Sequence, residues 1–153
     1  MTVLVLTSVS RMAHAAPYAE LSAGIIGAAI EVHRTLGPGL LESVYEECMS
    51  FELTARGLLH ARQVPIPVIY KDHRLTVQHR LDLVVDGRVV VELKAVEHLM
   101  PIHLAQLMTA LRLTGLPIGL LINFNVPVLV KGIKRVANGR DLALPRPPHS
   151  PPP

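Results

Sequence analysis

The strongest constraint on the fold comes from two β-rich runs at 75–85 and 89–96, which are separated by Asp86 and Gly87. An Asp-Gly pair between runs of alternating apolar residues predicts a β-hairpin. A two-residue turn would send the apolar residues of the two runs to opposite faces, whereas a three-residue loop at 86–88 puts them on one face. Because a buried face must be apolar throughout, we expect the three-residue loop. The residues that then share the apolar face are Leu81, Leu83, Val85, Val89, Val91 and Leu93.

The opposite face of the hairpin carries charge. In the same register Asp82 lies directly opposite Glu92, and Lys94 follows two residues further along that face. Two adjacent carboxylates repel each other unless a cation or a proton lies between them, and such oxygen ligands suit Mg²⁺ or Mn²⁺. A neighbouring ammonium can orient a water or stabilise charge on a phosphate. The alternative is an ordinary solvated face with a Glu–Lys pair, and the spacing alone favours that alternative.

Helical periodicity predicts two helices before the hairpin. The first covers 18–36 and ends at the Gly37-Pro38-Gly39 turn, and the second covers about 40–56 and ends at Gly57. The residues expected to face inward are Leu21, Ile25, Ala28, Val32 and Leu36 in the first helix, and Leu41, Val44, Cys48, Phe51 and Ala55 in the second.

The remaining runs complete an α/β pattern. Strands are expected at 64–70, 117–123 and 128–136, and a third helix is expected at 102–114. The order of helix, helix, antiparallel strands, helix and strands predicts an α/β sandwich with a mixed sheet.

The 153 residues suit one domain, expected at 18–140. Residues 1–17 are expected to form a flexible leader, because their apolar stretch is short and lacks the basic segment of a signal peptide; a start at Met12 is an alternative. Residues 141–153 are rich in proline and are expected to be a disordered tail.

The composition of the chain indicates its cellular compartment and its kinds of partner more clearly than its activity. The net charge is +3, which is compatible with a polyanionic partner without requiring one. The single Cys48 excludes an intrachain disulfide and suits a reducing compartment, so we expect a cytoplasmic protein. No apolar run is long enough to span a bilayer, so no membrane partner is expected. A mean hydropathy of +0.38 favours self-association into a homo-oligomer.

A family resemblance emerges from several segments together. Asp82 followed by Glu92-Leu93-Lys94 resembles the active-site pattern of the PD-(D/E)xK nuclease superfamily. The segment from Gly39 through Glu42 to Tyr45 is similar to the motif that names the GxxExxY protein family, a branch of that superfamily. Further similar blocks occur at 30–34, 36–39, 91–96, 105–107, 121–125 and 134–136, so that the resemblance runs from about Tyr18 to Asn138.

The resemblance implies a restriction-endonuclease-like sandwich, with a mixed central sheet flanked by helices, that binds Mg²⁺ or Mn²⁺. The metal ligands would be Asp82, Glu92 and the backbone carbonyl of Leu93. Lys94 would be the catalytic lysine. Glu42 would be an outer acidic ligand or a water-positioning group. Gln106 would reach the site from the third helix; relatives often carry a Tyr four residues after it, where this chain has Ala110, which would leave the site more open or weakened.

Several of these residues have structural explanations as well. Gly39 can act as an N-cap that makes Glu42 the third helical residue, where a carboxylate is favoured. Tyr45 can pack the helix on the sheet, and Gln106 can bond a backbone group. The candidate nucleic-acid contacts are Arg80, Lys131, Lys134 and Arg135, with Arg140 nearby; they can also be a solvated edge or, for Arg80, a partner of a carboxylate.

Two functions therefore compete. The first is a Mg²⁺-dependent nuclease-like phosphodiesterase acting on DNA or RNA. The second is a catalytically weak or inactive nuclease-fold module that binds nucleic acid or another protein. The scarcity of aromatic residues, at 3%, leaves little for stacking single-stranded bases.

Overall fold

The computed structural model describes residues 3–138, with side chains from Tyr18 onward. The helices are α1 (Val3–Leu36), α2 (Glu42–Ala55) and α3 (Pro101–Thr114). The strands are β1 (His60–Tyr70), β2 (His73–Val85), β3 (Val89–Lys94), β4 (Ile118–Asn123) and β5 (Ile133–Ala137). Within residues 3–138, no helix combines the length and apolar content needed to cross a bilayer.

The five strands form one sheet in the order β1-β2-β3-β4-β5. Neighbouring strands are antiparallel except β3 and β4, which are parallel because α3 carries the chain back between them. The expected α/β sandwich with a mixed sheet is confirmed. The first part of α1 falls in the segment expected to be a leader, and that expectation remains a prediction. The expected tail at 141–153 lies outside the described residues.

The hairpin between β2 and β3 has the three-residue loop that the register required. Val85 pairs with Val89 and Leu83 pairs with Val91. Asp86 and Gly87 take left-handed backbone angles, with φ of 52° and 60°, as a short loop of this type needs. The expected register is therefore confirmed over this part of the hairpin.

The sheet separates two apolar clusters, and β2 changes from one to the other near Asp82. Leu83 and Val85 pack in the larger cluster, with α1 and α2, whereas Leu81 packs in the smaller one, with α3. The expectation that Leu81 shares the apolar face of Leu83 and Val85 is therefore wrong. The backbone changes at the same level: Gln63, which lies between the paired positions opposite Leu83 and Leu81, has a positive φ of 49°.

The inward face of α2 differs from the expected one. The buried residues are Tyr45, Glu46, Met49 and Leu53. Leu41 and Phe51 are 73% and 72% exposed, and only Cys48 of the expected inward residues is partly buried. The reason is the anchoring of Tyr45, whose ring stacks on Phe124 with 4.4 Å between centroids. This contact rotates the buried face by about one residue, roughly 100° around the helix.

The end of the sheet also differs from the prediction. Residues expected to start a strand at 128 instead form a short 3-10 helix at Leu129–Gly132, and β5 begins only at Ile133. A Cβ on Gly132 would collide with the backbone oxygen of Asn123, so only glycine allows the 3-10 helix to approach β4 this closely. Helices α2 and α3 and strand β4 begin within two residues of their expected starts, whereas β1 begins four residues earlier than expected.

Candidate metal and active site

Asp82 is fixed by a bond that its side chain makes to the neighbouring strand. The β2–β3 ladder ends at the pair Leu83–Val91, and the next backbone donor on β3, the N–H of Leu93, donates to the carboxylate of Asp82 at 2.8 Å. The side chain therefore takes the place of a backbone acceptor. This bond holds the carboxylate of Asp82 beside β3, as the register had predicted.

Glu92 lies next to Asp82 and is only 8% exposed. Its Oε1 is buried and has no hydrogen-bond partner within the part of the chain that the structure describes. Burial, followed by repulsion from Asp82, raises the pKa of Glu92 to about 8. The pKa of Asp82 is also raised, chiefly by burial, although the N–H of Leu93 opposes the rise.

This pair of carboxylates fits a divalent cation. A buried carboxylate oxygen without a partner is costly, and a hard cation would satisfy it. Among residues 3–138, however, no cluster of three or more His, Cys, Asp or Glu side chains could hold a metal ion. Mg²⁺ is often held by only one or two carboxylates and keeps several waters, so Asp82 and Glu92 suffice as side-chain ligands.

Lys94 supplies positive charge at the same end of β3. Its side chain is half-buried, and its charge lowers the pKa of both Asp82 and Glu92, against the larger effect of burial. Because β3 alternates its side chains, Lys94 and Glu92 share a face of the sheet. The strand therefore brings Glu92 and Lys94 together near Asp82, as the sequence predicted.

Asn123 supports this end of β3, and the sequence reasoning had assigned it no role. It pairs with Lys94 across the parallel β3–β4 ladder and is 1% exposed. Its amide oxygen accepts from the N–H of Val96 at 3.0 Å, and its amide nitrogen donates to the Val96 carbonyl at 2.9 Å. A polar residue at the end of an apolar strand was the only signal in the sequence for this function.

Helix α2 carries two acidic residues to compare with the carboxylate pair, the expected Glu42 and Glu46. Glu42 is the first residue of α2, follows Leu41 as N-cap, and is exposed; the expectation of Gly39 as N-cap is wrong. Glu46, one turn further on, is 8% exposed, and its negative charge contributes to the raised pKa of Asp82. The motif had drawn attention to Glu42, whereas the face of α2 set by Tyr45 turns Glu46 inward.

Glu46 is itself held in place by two donors from β1. Arg62 donates from Nε to Glu46 at 3.0 Å, and the Gln63 amide donates to the other carboxylate oxygen at 2.6 Å. Two consecutive strand residues normally point to opposite faces of the sheet. Arg62 and Gln63 instead both reach the carboxylate of Glu46, and Gln63 has a positive φ. The irregularity in β1 opposite Asp82 therefore serves to fix Glu46.

The other motif residues hold the turn before α2. The hydroxyl of Tyr45 donates to the Gly37 carbonyl at 2.6 Å and accepts from the N–H of Leu40 at 3.2 Å. Gly39 has a φ of 100°, which favours glycine. The structure gives Tyr45 the packing role expected from the sequence and, in addition, hydrogen bonds that hold the turn.

Two positions of α3, Gln106 and Ala110, were expected to bear on the site. Gln106 is exposed, and the structure gives its side chain no hydrogen bond within residues 3–138. Ala110 is fully buried in the smaller apolar cluster with Leu107, Leu111 and Leu121. The small side chain at position 110 therefore lies in packed core and leaves no exposed gap there.

The candidate nucleic-acid contacts are divided between distant parts of the sheet. Arg80 is exposed on β2, whereas Lys134 and Arg135 lie on β5, three strands away in the sheet. Adjacent strand residues point to opposite faces, and Arg135 donates to Ser22 of α1 at 3.4 Å. Lys131 is exposed in the 3-10 helix. These cations therefore do not form one surface, and Arg140 lies outside the described residues.

Comparison with known proteins supports the assignment of the fold. The profile described as the PD-(D/E)XK nuclease superfamily matches residues 19–136, which include all of the elements from α2 to the last strand except its final residue. No curated protein and no solved structure matches the chain significantly. The match covers most of the chain and agrees with a mixed sheet that carries Asp82, Glu92 and Lys94 on two adjacent strands. The chain belongs to the PD-(D/E)XK nuclease superfamily.

Proposed function

We propose that this protein is a Mg²⁺-dependent phosphodiesterase that cleaves nucleic acid, with Mn²⁺ as a substitute, and that it belongs to the GxxExxY branch of the superfamily. The observation that carries the proposal is the buried, unpartnered Oε1 of Glu92 beside the carboxylate of Asp82. A cation site explains both the orphan oxygen and the raised pKa values.

Each residue has a defined part in this proposal. Asp82 and Glu92 would hold the cation, with the Leu93 carbonyl and water as further ligands. A divalent cation bound there supplies charge that offsets the negative charge of the reacting phosphate and acidifies a bound water. Lys94 donates hydrogen bonds to the attacking water or to a phosphate oxygen. Glu46 adds negative charge beside Asp82, which favours a bound cation. Glu42 and Gln106, both exposed, would orient a ligand or the substrate phosphate from the surface.

The test is cleavage of plasmid DNA and of a transcribed RNA with Mg²⁺ or Mn²⁺, with EDTA as the blank. We expect metal-dependent cleavage that falls about a hundredfold or more in Glu92→Gln and in Lys94→Ala. The matched control is Glu97→Gln, because the Glu97 side chain is 89% exposed; this variant should cleave like wild type. Cleavage that survives in both purified site variants would contradict the proposal.

A second function is favoured by a separate observation. The exposed apolar residues Leu41, at the N-cap of α2, and Val44 and Phe51, within α2, form a stripe at helical spacing that a protein partner or a second copy would cover. This stripe supports a nuclease-fold interaction module, in which turnover is weak or absent and a homo-oligomer is formed. Light scattering of wild type and Phe51→Ser distinguishes the cases, since a change of mass in the variant would indicate self-association.

The cellular setting remains a proposal as well. The structure places the thiol of Cys48 partly buried and free of a disulfide. A single free cysteine is compatible with the reducing cytoplasm, where we place the protein.

A further inference from the structure

Strands β1 and β2 continue well past the rest of the sheet as a two-stranded ribbon. β3 pairs only with residues 83–85 of β2. Beyond that point β1 and β2 pair only with each other, and every residue from 67 to 78 is exposed except the half-buried Val68. A two-residue turn at Lys71-Asp72, with φ of 44° and 66°, closes the ribbon. We call residues 67–80 the ribbon.

The ribbon carries both positive charge and exposed apolar side chains. Its cations are Lys71, Arg74 and Arg80, all exposed, against a single acid, Asp72. Ile69 and Val77 are 67% and 75% exposed. A two-stranded ribbon without other support is marginally stable, and side chains as exposed as Ile69 and Val77 bury little apolar surface to stabilise it. These features indicate that another molecule covers the ribbon.

The ribbon leads directly into the candidate active site. β2 runs without interruption from Arg74 to Asp82. At about 3.4 Å per residue these two positions are roughly 27 Å apart along the strand, a distance of several nucleotides. A polyanion bound along the ribbon would therefore reach the carboxylates of Asp82 and Glu92.

We propose that the ribbon binds B-form duplex DNA by entering its major groove, an inference that rests on the proposed function for its link to cleavage. The major groove of B-form DNA is about 12 Å wide and admits a two-stranded β-ribbon. The major groove of duplex RNA is too deep and narrow. Lys71 and Arg74 bind phosphates, and the exposed apolar side chain on the face of the ribbon that meets the bases contacts thymine methyl groups.

Single-stranded nucleic acid and a second copy of the chain fit less well. Single strands are bound by stacking on aromatic rings, and Tyr70 is the one aromatic residue of the ribbon. Pairing of two ribbons would bring two sets of like charges together. Charged side chains on edge strands are a common means of preventing such association. Duplex DNA is the partner that matches both the shape and the charge of the ribbon.

The test is fluorescence anisotropy of a labelled 30-bp DNA duplex in EDTA, so that cleavage does not interfere. The double variant Lys71→Gln/Arg74→Gln should bind at least about tenfold more weakly, and its log–log salt slope should fall by about two. The control is Arg88→Gln/Arg112→Gln, which removes the same charge from exposed positions off the ribbon and should bind within twofold of wild type. A duplex RNA of the same sequence should bind at least about tenfold more weakly than the DNA.

Four results would overturn the proposal: no binding of the DNA duplex by wild type, unchanged binding by the ribbon variant, equal affinity for duplex RNA, or tighter binding of the single strand. Thermal unfolding by circular dichroism checks that the ribbon variant is folded. A lower mass of the ribbon variant in sedimentation, with unchanged DNA binding, would show that the ribbon instead pairs two copies.

A second measurement separates this proposal from the proposed function. Bis(p-nitrophenyl) phosphate is too small to contact the ribbon, so Mn²⁺-dependent hydrolysis should be unchanged in Lys71→Gln/Arg74→Gln and lost in Lys94→Ala. If wild type binds DNA through the ribbon but hydrolyses no substrate, the proposed phosphodiesterase activity is contradicted and the proposed role of the ribbon is supported. If wild type hydrolyses the substrate but the ribbon variant binds DNA as well as wild type does, the proposed role of the ribbon is contradicted and the phosphodiesterase activity is supported.

Discussion

The carboxylate of Asp82 accepts a 2.8 Å hydrogen bond from the backbone N–H of Leu93, at the point where β2 and β3 stop pairing. A side chain thus takes over from the backbone as the acceptor for this strand. The exchange lets the two strands separate while the two carboxylates stay together. The geometry of the candidate site follows from this one bond together with the burial of Glu92.

Burial of Glu92 makes the stability of the metal-free protein depend on pH. Its pKa is about 8 in the folded state against 4.5 in an exposed glutamate. The folded state therefore binds the proton more tightly, and this group's contribution to the free energy of unfolding is full below pH 4.5 and falls as the pH rises to about 8. The slope of the contribution is at most about 1.4 kcal/mol per pH unit. Urea unfolding in EDTA at several pH values measures it.

The variant Glu92→Gln is the control for that measurement, because the amide does not titrate. Its free energy of unfolding should change less between pH 5 and pH 8 than that of wild type. An equal decline in both proteins would show that Glu92 is not the group responsible.

Glu46 and Glu42 form a matched pair of carboxylates on one helix. Removal of the buried charge in Glu46→Gln should weaken Mn²⁺ binding by roughly 1 kcal/mol, about fivefold, because a nearby negative charge attracts the cation. The exposed Glu42→Gln should change it much less. Titration calorimetry with Mn²⁺ measures both. A larger loss of Mn²⁺ affinity in Glu42→Gln than in Glu46→Gln would show that Glu42 is the more important acidic residue.

The comparison of Glu42 with Glu46 shows what the sequence could and could not predict. The hairpin register followed from alternation, because a strand has only two faces and one of them must be apolar. In helix α2 any part of the circumference can face the core, so alternation does not decide which residues are buried. Its apolar stripe at Leu41, Val44 and Phe51 predicted one buried face, and the long-range contact of Tyr45 with Phe124 selected another. A contact between residues 79 positions apart is not visible in local periodicity.

The same limit explains two further differences. The sequence had no sign that β2 would change clusters at Leu81, because that change accompanies the backbone of Gln63 on a different strand. Gly132 looked like an ordinary strand residue, yet its lack of a side chain is required by a distant carbonyl.

Tyr45 should contribute to stability and not to chemistry. Tyr45→Phe keeps the stacking on Phe124 but removes the bonds to Gly37 and Leu40, which should cost about 1–2 kcal/mol of unfolding free energy. The specific cleavage activity of the folded variant should stay within twofold of wild type. The control Tyr70→Phe, at a residue 61% exposed, should be neutral in denaturant unfolding. A large loss of activity at full stability would instead place the Tyr45 hydroxyl in the chemistry.

Gly132 should not tolerate a side chain. In Gly132→Ala the new Cβ would collide with the Asn123 backbone oxygen, so the 3-10 helix or β4 must shift. We expect a loss of about 1–3 kcal/mol in urea unfolding. In Gly24→Ala the nearest atom is a Leu58 methyl at 3.4 Å, and alanine favours the helix, so this control should be neutral or more stable. Equal stability of the two variants would contradict the close approach.

The central claim is that Asp82 and Glu92 hold a divalent cation. The most direct measurement is the anomalous diffraction of crystals soaked in Mn²⁺. We predict a peak at coordination distance, about 2.1–2.2 Å, from carboxylate oxygens of both residues, and no such peak in Glu92→Gln. A wild-type crystal in millimolar Mn²⁺ with no peak between Asp82 and Glu92, or with Mn²⁺ bound only elsewhere, would contradict the claim.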